Sequence, residues 1–454
     1  MRISEVFSLI EIIAMKKTFK GGVHPHEMKA LTEKKAFEKM PAGKQVILPL
    51  SQHLGKSAVP IVKKGSIIKK GELIANGDGF ISAPVHSPIS GVVSKISQNP
   101  NLGGIYKDAV IIDVKEDEET DYLSALNPET ITAEEIIERV KTAGIVGQGG
   151  AAFPTYVKLM PPKDKKIDLL IINGCECEPY LTRDYRFMIE TPEKLIGGIK
   201  LIMKALGINK ANIGIEDNKP EAIKKLNEKL SGQSEIEVKS LKTKYPQGAE
   251  KMLIKSITGK EVAPGKLPLD HGIVIQNIGT ACSVYDAVVN GIPQIEAFMT
   301  VSGLGINEPK NLIVNVGTPI NEILDYCGGV NEKAVKLVAG GPMMGVAQSD
   351  FNAPITKATS GLLVLTHEEA GDNEASNCLR CGKCVEACPL DLMPTKLARL
   401  TQLERFEEAE EAGILVCMEC GTCTFQCPAN IPLVQWIRLG KQSALKIKKE
   451  KQSA

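Results

Sequence analysis

Eight of the twelve cysteines in this chain fall into two copies of one pattern near its C-terminal end. Cys378, Cys381, Cys384 and Cys388, followed by Pro389, spell C-x2-C-x2-C-x3-C-P; Cys417, Cys420, Cys423 and Cys427, followed by Pro428, spell it again. Three thiolates at i, i+3 and i+6 on a tight turn can grip one inorganic centre from the same side. A closed zinc site instead brings two C-x2-C pairs together across a gap, and no disulfide framework repeats in this way.

The spacing is that of two-cluster bacterial ferredoxins, where the last cysteine of each run ligates the other run's cluster. It assigns Cys378, Cys381, Cys384 and Cys427 to one [4Fe-4S] cluster, and Cys417, Cys420, Cys423 and Cys388 to the other. Between the runs, leucines at 397, 400 and 403 recur on a helical period, so this domain is expected to be α-helical. The segment from Pro432 to Lys451 reads as a helix with a basic end, either solvated or set against a partner or acidic lipid.

At 454 residues the chain should divide into three or four domains. Its hydrophobic fraction of 43% and charged fraction of 24% are those of soluble globular proteins, and a net charge of +1 gives no global field to recruit nucleic acid or a membrane. No apolar run approaches the roughly 20 residues that span a bilayer. Val6 to Met15 is apolar but contains Glu11, precedes Lys16 and Lys17, and lacks a cleavage site, so no signal peptide is expected. Cys175, Cys177, Cys282 and Cys327 follow no framework spacing, which points to a reducing compartment and the cytosolic side.

In chain order, residues 1–35 form an extended segment, with Gly21-Gly22 and His24-Pro25-His26 marking loop and no further ligand group near the histidines. Residues 36–118 are a small β unit of short apolar runs broken by Gly and Pro. Residues 119–290 begin after the acidic run EDEETD (116–121), with a helix announced by Thr132 and closed by Gly144. They then alternate strand and helix through IDLLIING, NIGIED and GIVIQNIGTACSVYDAV, which implies a largely parallel sheet covered on both faces, with ligands at the strands' carboxyl ends. Residues 291–366 read strand, strand, short helix, strand, a β-grasp-like unit with one further strand, GLLVLT. A polar linker, DNEASN, leads into the cluster domain at 367–454.

Chemistry concentrates in the α/β unit. Gly147-Gln148-Gly149-Gly150 can bring backbone N–H groups close to a phosphate or a flat ring, although it does not follow G-x-G-x-x-G and a tight structural turn explains it equally well. Phe153 can stack, Lys158 adds positive charge, Glu176 and Glu178 leave a strand's carboxyl end, and Asn277 and Thr280 open a helix whose N-terminus favours phosphate.

These residues carry a resemblance. GQGGAAFPTYVK, INGCECEP, YPQGAEK and QNIGTA, in this order, resemble the NADH-oxidising flavoprotein subunit of respiratory complex I. VKKGSIIKKGELIA with ISAPVHSPISGVV is similar to the barrel-sandwich fold of biotinyl and lipoyl carriers, but His86 stands among prolines where those present a modified lysine, so a docking module is expected. With the two ferredoxin runs, the whole from about Lys17 onward resembles the C subunits of Rnf complexes, ion-translocating ferredoxin:NAD+ oxidoreductases.

The resemblance implies a multidomain α/β protein: barrel-sandwich hybrid, Rossmann-like FMN/NADH domain, β-grasp (SLBB-type) domain and α-helical two-cluster ferredoxin domain. It implies FMN over Gly147, Gly149 and Gly150 with its phosphate near Asn277 and Thr280. NAD(H) would be surrounded by Phe153, Lys158, Glu178, Tyr245, Gly248 and Glu250, and Asn173 and Glu176 would also belong to the cofactor-binding set. It implies membrane-embedded Rnf subunits and the ferredoxin-like B subunit as partners, ferredoxin as an indirect one, and a peripheral place on the cytoplasmic side of the membrane. Ala152 stands where complex I subunits have Gly, Cys175 where they have Asp, and Ala249 where they have Glu. Two alternatives stay open: a soluble flavin and iron–sulfur reductase similar to cobalamin reductases, and a non-catalytic electron-wiring subunit.

Overall fold

The computed structural model describes residues 18–115, 119–371 and 374–453. The apolar opening stretch from Val6 to Met15, positions 116–118 of the acidic run and positions 372–373 of the later linker lie outside the described residues.

The barrel-sandwich unit pairs Gln45–Pro49, Tyr106–Val114, Gly91–Pro100 and Ile67–Ile68 in one sheet, and Val59–Pro60, Leu73–Asn76 and Val85–His86 in a second. Its inward side chains, among them Leu48, Ile74, Val110 and Ile112, do not close a private core. They share one apolar cluster with Met299, Leu312 and Val314 of the following β-grasp sheet.

In the α/β unit, Thr132 and Glu135 form the reciprocal cap that starts the helix Ala133–Thr142, and Gly144 turns the chain out of it with a φ of +64°. The sheet is parallel throughout, in the order Ile236–Leu241, Ala211–Glu216, Leu169–Asn173, Ile273–Asn277. Leu170 and Ile172 face the helices Pro192–Leu206 and Ile278–Val289, whereas Ile171 faces the helix Glu250–Thr258. Strand order reverses between Leu169–Asn173 and Ile273–Asn277, so Asn173 and Asn277 sit opposite each other at the carboxyl end of the switch point.

The β-grasp sheet has six strands, ordered Phe37–Lys39, Lys310–Asn315, Glu296–Ser302, Gly361–Thr366, Ala334–Ala339, Val346–Gln348. Two placements differ from the linear order of the sequence. Phe37–Lys39, inside the stretch read as barrel-sandwich, pairs parallel with Lys310–Asn315, and Gly361–Thr366 lies centrally, parallel to Glu296–Ser302. Both pairings join segments far apart in sequence, which periodicity does not report.

In the cluster domain, Leu397 and Leu400 of the helix Pro394–Gln402 pack against Val434 and Ile437 of the long helix Leu433–Ser453, while Leu403 is exposed at the helix end. The basic end of the long helix has partners within the domain: Lys448 reaches Glu410 at 2.7 Å and Lys451 reaches Glu407 at 2.6 Å.

Two buried lysines lock the units together. Lys357 donates to the Pro84 carbonyl at 2.7 Å and the Gly144 carbonyl at 2.8 Å, so a β-grasp residue ties the barrel-sandwich to the α/β unit. Lys29, from the opening segment, donates to the carbonyls of Glu176, Glu178 and Leu181.

Candidate functional site

The glycine loop is a closed turn that leads into the short helix Thr155–Lys158. Gly147 N–H donates to the Phe153 carbonyl at 2.9 Å, and Gln148 N–H donates to Thr280 Oγ1 at 3.0 Å. Gly149 and Gly150 are left exposed. Gly149 lies so close to Asn277 that an added Cβ would stand 3.3 Å from the Asn277 Cβ; Gly150 has a φ of +146° and open space where a Cβ would point. Ala152 has a φ of +51°, a region that favours glycine.

Asn277 caps the helix Ile278–Val289 by accepting from Gly279 N–H at 2.8 Å, and donates its amide to Asp184 at 2.7 Å. Thr280 is buried against the loop rather than turned outward. Arg183, which no sequence motif announces, fixes the loop from below: it donates to the Gln148 carbonyl at 2.9 Å and pairs with Asp184 at 3.0 Å. Its Nη1 is buried without a hydrogen-bond partner among the described residues. An orphan guanidinium N–H beside an open glycine turn and a capped helix N-terminus suits a phosphorylated planar group, so these residues fit FMN.

Asn173 donates to the Gly248 carbonyl at 2.8 Å, and Lys158 pairs with Glu250 at 3.0 Å. Glu176, with a φ of +46°, turns its carboxylate onto Asp184 N–H and Tyr185 N–H at the start of the helix Arg183–Glu190. Burial pushes the Glu176 carboxyl up to about 7. Cys175 and Cys177 are small packing residues: burial holds both thiols far above their ordinary range, and Cys177 Sγ accepts from Gly248 N–H.

Glu178 accepts from Met343 N–H and Met344 N–H of the β-grasp unit, each at 3.0 Å, and burial pushes it up to about 7. Tyr245 is buried and donates its hydroxyl to the Cys420 carbonyl at 2.8 Å. The opening segment runs along the same seam, with Gly22 N–H on the Ala387 carbonyl, Val23 bridged to Tyr245, and Lys20 paired with Asp391 at 2.6 Å.

The cysteines surround two cavities. Cys378, Cys381, Cys384 and Cys427 line one, and Cys388, Cys417, Cys420 and Cys423 line the other. The two runs share one local shape: the residue before the second cysteine is left-handed, Arg380 at +55° and Glu419 at +59°, and the glycine after it has a φ of +80° in both, Gly382 and Gly421. The same curl therefore recurs in both runs, and each sets its first three cysteines along one cavity. Burial pushes the Cys417 thiol up to about 11 and Cys423 to about 12; cluster ligation takes such residues as thiolates. Cys378 and Cys381 are exposed, whereas Cys388 and Cys420 are buried against the seam.

Comparison with known proteins follows the same order along the chain. Residues 17–118 match the RnfC barrel sandwich hybrid domain, 140–286 the Nuo51 FMN-binding domain, 298–347 the SLBB domain and 371–428 the 4Fe-4S dicluster domain. The chain is 46% identical over 399 residues to the C subunit of the proton-translocating ferredoxin:NAD(+) oxidoreductase complex of Clostridium ljungdahlii, covering 87% of each chain. It is 42% identical to the C subunit of the Na(+)-translocating complex of Acetobacterium woodii, covering 87% of this chain and 89% of that one. It is 43% identical to the C subunit of the ion-translocating oxidoreductase complex of Rhodobacter capsulatus, covering 93% and 82%. Among solved structures, a chain of an NAD+-reducing [NiFe]-hydrogenase shares the fold at a TM-score of 0.50 and 19% identity; the match covers 68% of this chain and 60% of that one. Among the described residues no helix is long and apolar enough to cross a membrane.

Proposed function

This chain belongs to the family of C subunits of ion-translocating ferredoxin:NAD(+) oxidoreductase complexes, and we propose how its residues serve that activity. It is an electron-transfer subunit of an oxidoreductase, with an FMN-binding domain and a dicluster domain on one polypeptide. A bound FMN supplies the exchange between the hydride of NAD(H) and the single electrons that iron–sulfur clusters accept.

The chain's own contribution is position. Gly147, Gly149 and Gly150 would let a flavin ring approach the backbone, and the N-terminus of Ile278–Val289, capped by Asn277 and backed by Arg183 and Thr280, would hold its phosphate. Phe153, Lys158, Asn173, Gly248 and Glu250 would bound the space for NAD(H), while Glu176 spends its carboxylate on the start of the helix Arg183–Glu190. Glu178 and Tyr245, which the resemblance placed around the dinucleotide, hold the neighbouring units in register with it. No side chain is assigned as a general base.

One contact carries the reading: the Tyr245 hydroxyl on the Cys420 carbonyl, which joins the loop YPQG of the flavin domain directly to a ligand residue of one cluster cavity. That cavity, ringed by Cys388, Cys417, Cys420 and Cys423, is therefore the inner one. The cavity with exposed Cys378 and Cys381 is the outer one and faces the redox partner. In this reading membrane-embedded subunits and a ferredoxin-like one complete the assembly, with this chain peripheral on the cytoplasmic side; the relatives' names support membership of a multi-subunit complex.

The test is NADH-dependent reduction of ferricyanide by anaerobically purified, FMN-supplied protein. Turnover that requires FMN supports the reading; intact clusters with bound FMN and no turnover would leave the chain an electron-wiring component.

A further inference from the structure

The barrel-sandwich unit reaches the flavin domain with two loops that expose apolar side chains beside the glycine turn. Leu54 is 55% exposed and Phe80 61% exposed. Leu54 N–H donates to the Ala152 carbonyl at 3.4 Å, within the turn itself. Phe80 stands edge-on to Tyr156 with ring centroids 6.3 Å apart, and its carbonyl accepts from the Tyr156 hydroxyl.

These loops are braced rather than loose. Lys56 N–H donates to the Ile81 carbonyl at 3.0 Å, Ser82 Oγ donates to the Lys56 carbonyl at 2.8 Å, and Ala83 N–H donates to His53 Nε2 at 3.0 Å. Farther along Phe80's loop, Lys357 pins Pro84 to Gly144, at the root of the glycine turn. The lip is thus held at a fixed place relative to Gly149 and Gly150, yet its two largest apolar groups stay mostly open to solvent. Burying a braced aromatic is favourable only when a partner surface arrives.

NAD(H) is long: with its nicotinamide at the glycine turn, an extended dinucleotide carries its adenine to the rim, where this lip stands. We infer that Phe80 and Leu54 form an adenine subsite, a wall supplied by the barrel-sandwich unit on which the adenylate half of NAD(H) rests. The inference builds on the function proposed above. It gives the barrel-sandwich unit a part in substrate binding in addition to docking, and it makes the dinucleotide site a junction of two domains.

The experiment compares NADH with reduced nicotinamide mononucleotide, which has no adenylate half, and adds calorimetric titration of ADP-ribose into the FMN-supplied holoprotein. Stacking on an aromatic side chain is strong enough that Phe80→Ala should raise both the KM for NADH and the Kd for ADP-ribose by about tenfold. The KM for the mononucleotide should move far less, and Phe80→Trp should restore the NADH value. Iron and flavin content of each variant reports that it has folded. Equal shifts for NADH and mononucleotide, an unchanged Kd for ADP-ribose, or no ADP-ribose binding to the unsubstituted protein would overturn the subsite. Absence of NADH oxidation with ADP-ribose binding and its Phe80 dependence intact would count against the proposed function and leave the subsite standing.

Discussion

Ala152 shows what single residues can and cannot disclose. Its place within GQGGAAF marks it as a departure from the glycine of complex I subunits, and its left-handed backbone supplies the physical reason that glycine is preferred there. An alanine in that region is disfavoured by about 1 kcal/mol. Ala152→Gly should therefore raise stability by roughly that amount and increase the flavin retained through purification, read by denaturant midpoint and FMN absorbance; a lower midpoint would show that the turn is not strained. The cysteines were legible from spacing because a cluster dictates where its ligands stand. Crossover makes an asymmetric expectation: Cys427→Ser should disturb the outer cluster held by Cys378, Cys381 and Cys384, and Cys388→Ser the inner one, each seen as loss of one spectroscopic species. Loss of the cluster belonging to the mutated run itself would refute the pairing. Arg183 was not legible, since an arginine in YLTRDYR carries no spacing signal and gains its role only when the fold brings Gln148 to it.

At the scale of elements, strands and caps of the α/β unit could be read from periodicity and from Thr132, because both are local. The seam could not, since it is made of loops from four parts of the chain. Glu178 is its pH-sensitive member. Burial raises its carboxyl from an ordinary 4.5 to about 7. A carboxyl bound more tightly to its proton in the folded state stabilises that state fully below about pH 4.5, and that stabilisation is lost as pH rises through about 7. Protection of Met343 and Met344 amides from hydrogen exchange, corrected for intrinsic rates, should fall across that window, and Glu178→Gln should flatten the fall. A pH-independent protection factor would contradict this. Lys357 gives a second expectation: Lys357→Met removes the donors of two buried carbonyls, and should destabilise the junction by about 2 kcal/mol or more, measured by chemical denaturation. A change under about 0.5 kcal/mol, the usual range for surface substitutions, would mean that the carbonyls find other donors.

Over the whole molecule, domain order was legible because each unit has its own texture, but the shared apolar cluster of the barrel-sandwich and β-grasp units was not. That cluster, the two lysine ties and the strap of residues 18–23 hold the flavin loop and the inner cluster cavity in one arrangement. Held so, the two form a relay between paired and single electrons. The most direct test of that relay is rapid anaerobic mixing of NAD+ with protein whose clusters have been chemically reduced and freed of excess reductant, following nicotinamide and cluster absorbance together. NADH should appear as the clusters reoxidise in FMN-loaded protein, and neither change should occur when FMN is withheld. NADH formed without flavin, or clusters that stay reduced beside bound flavin and NAD+, would contradict it.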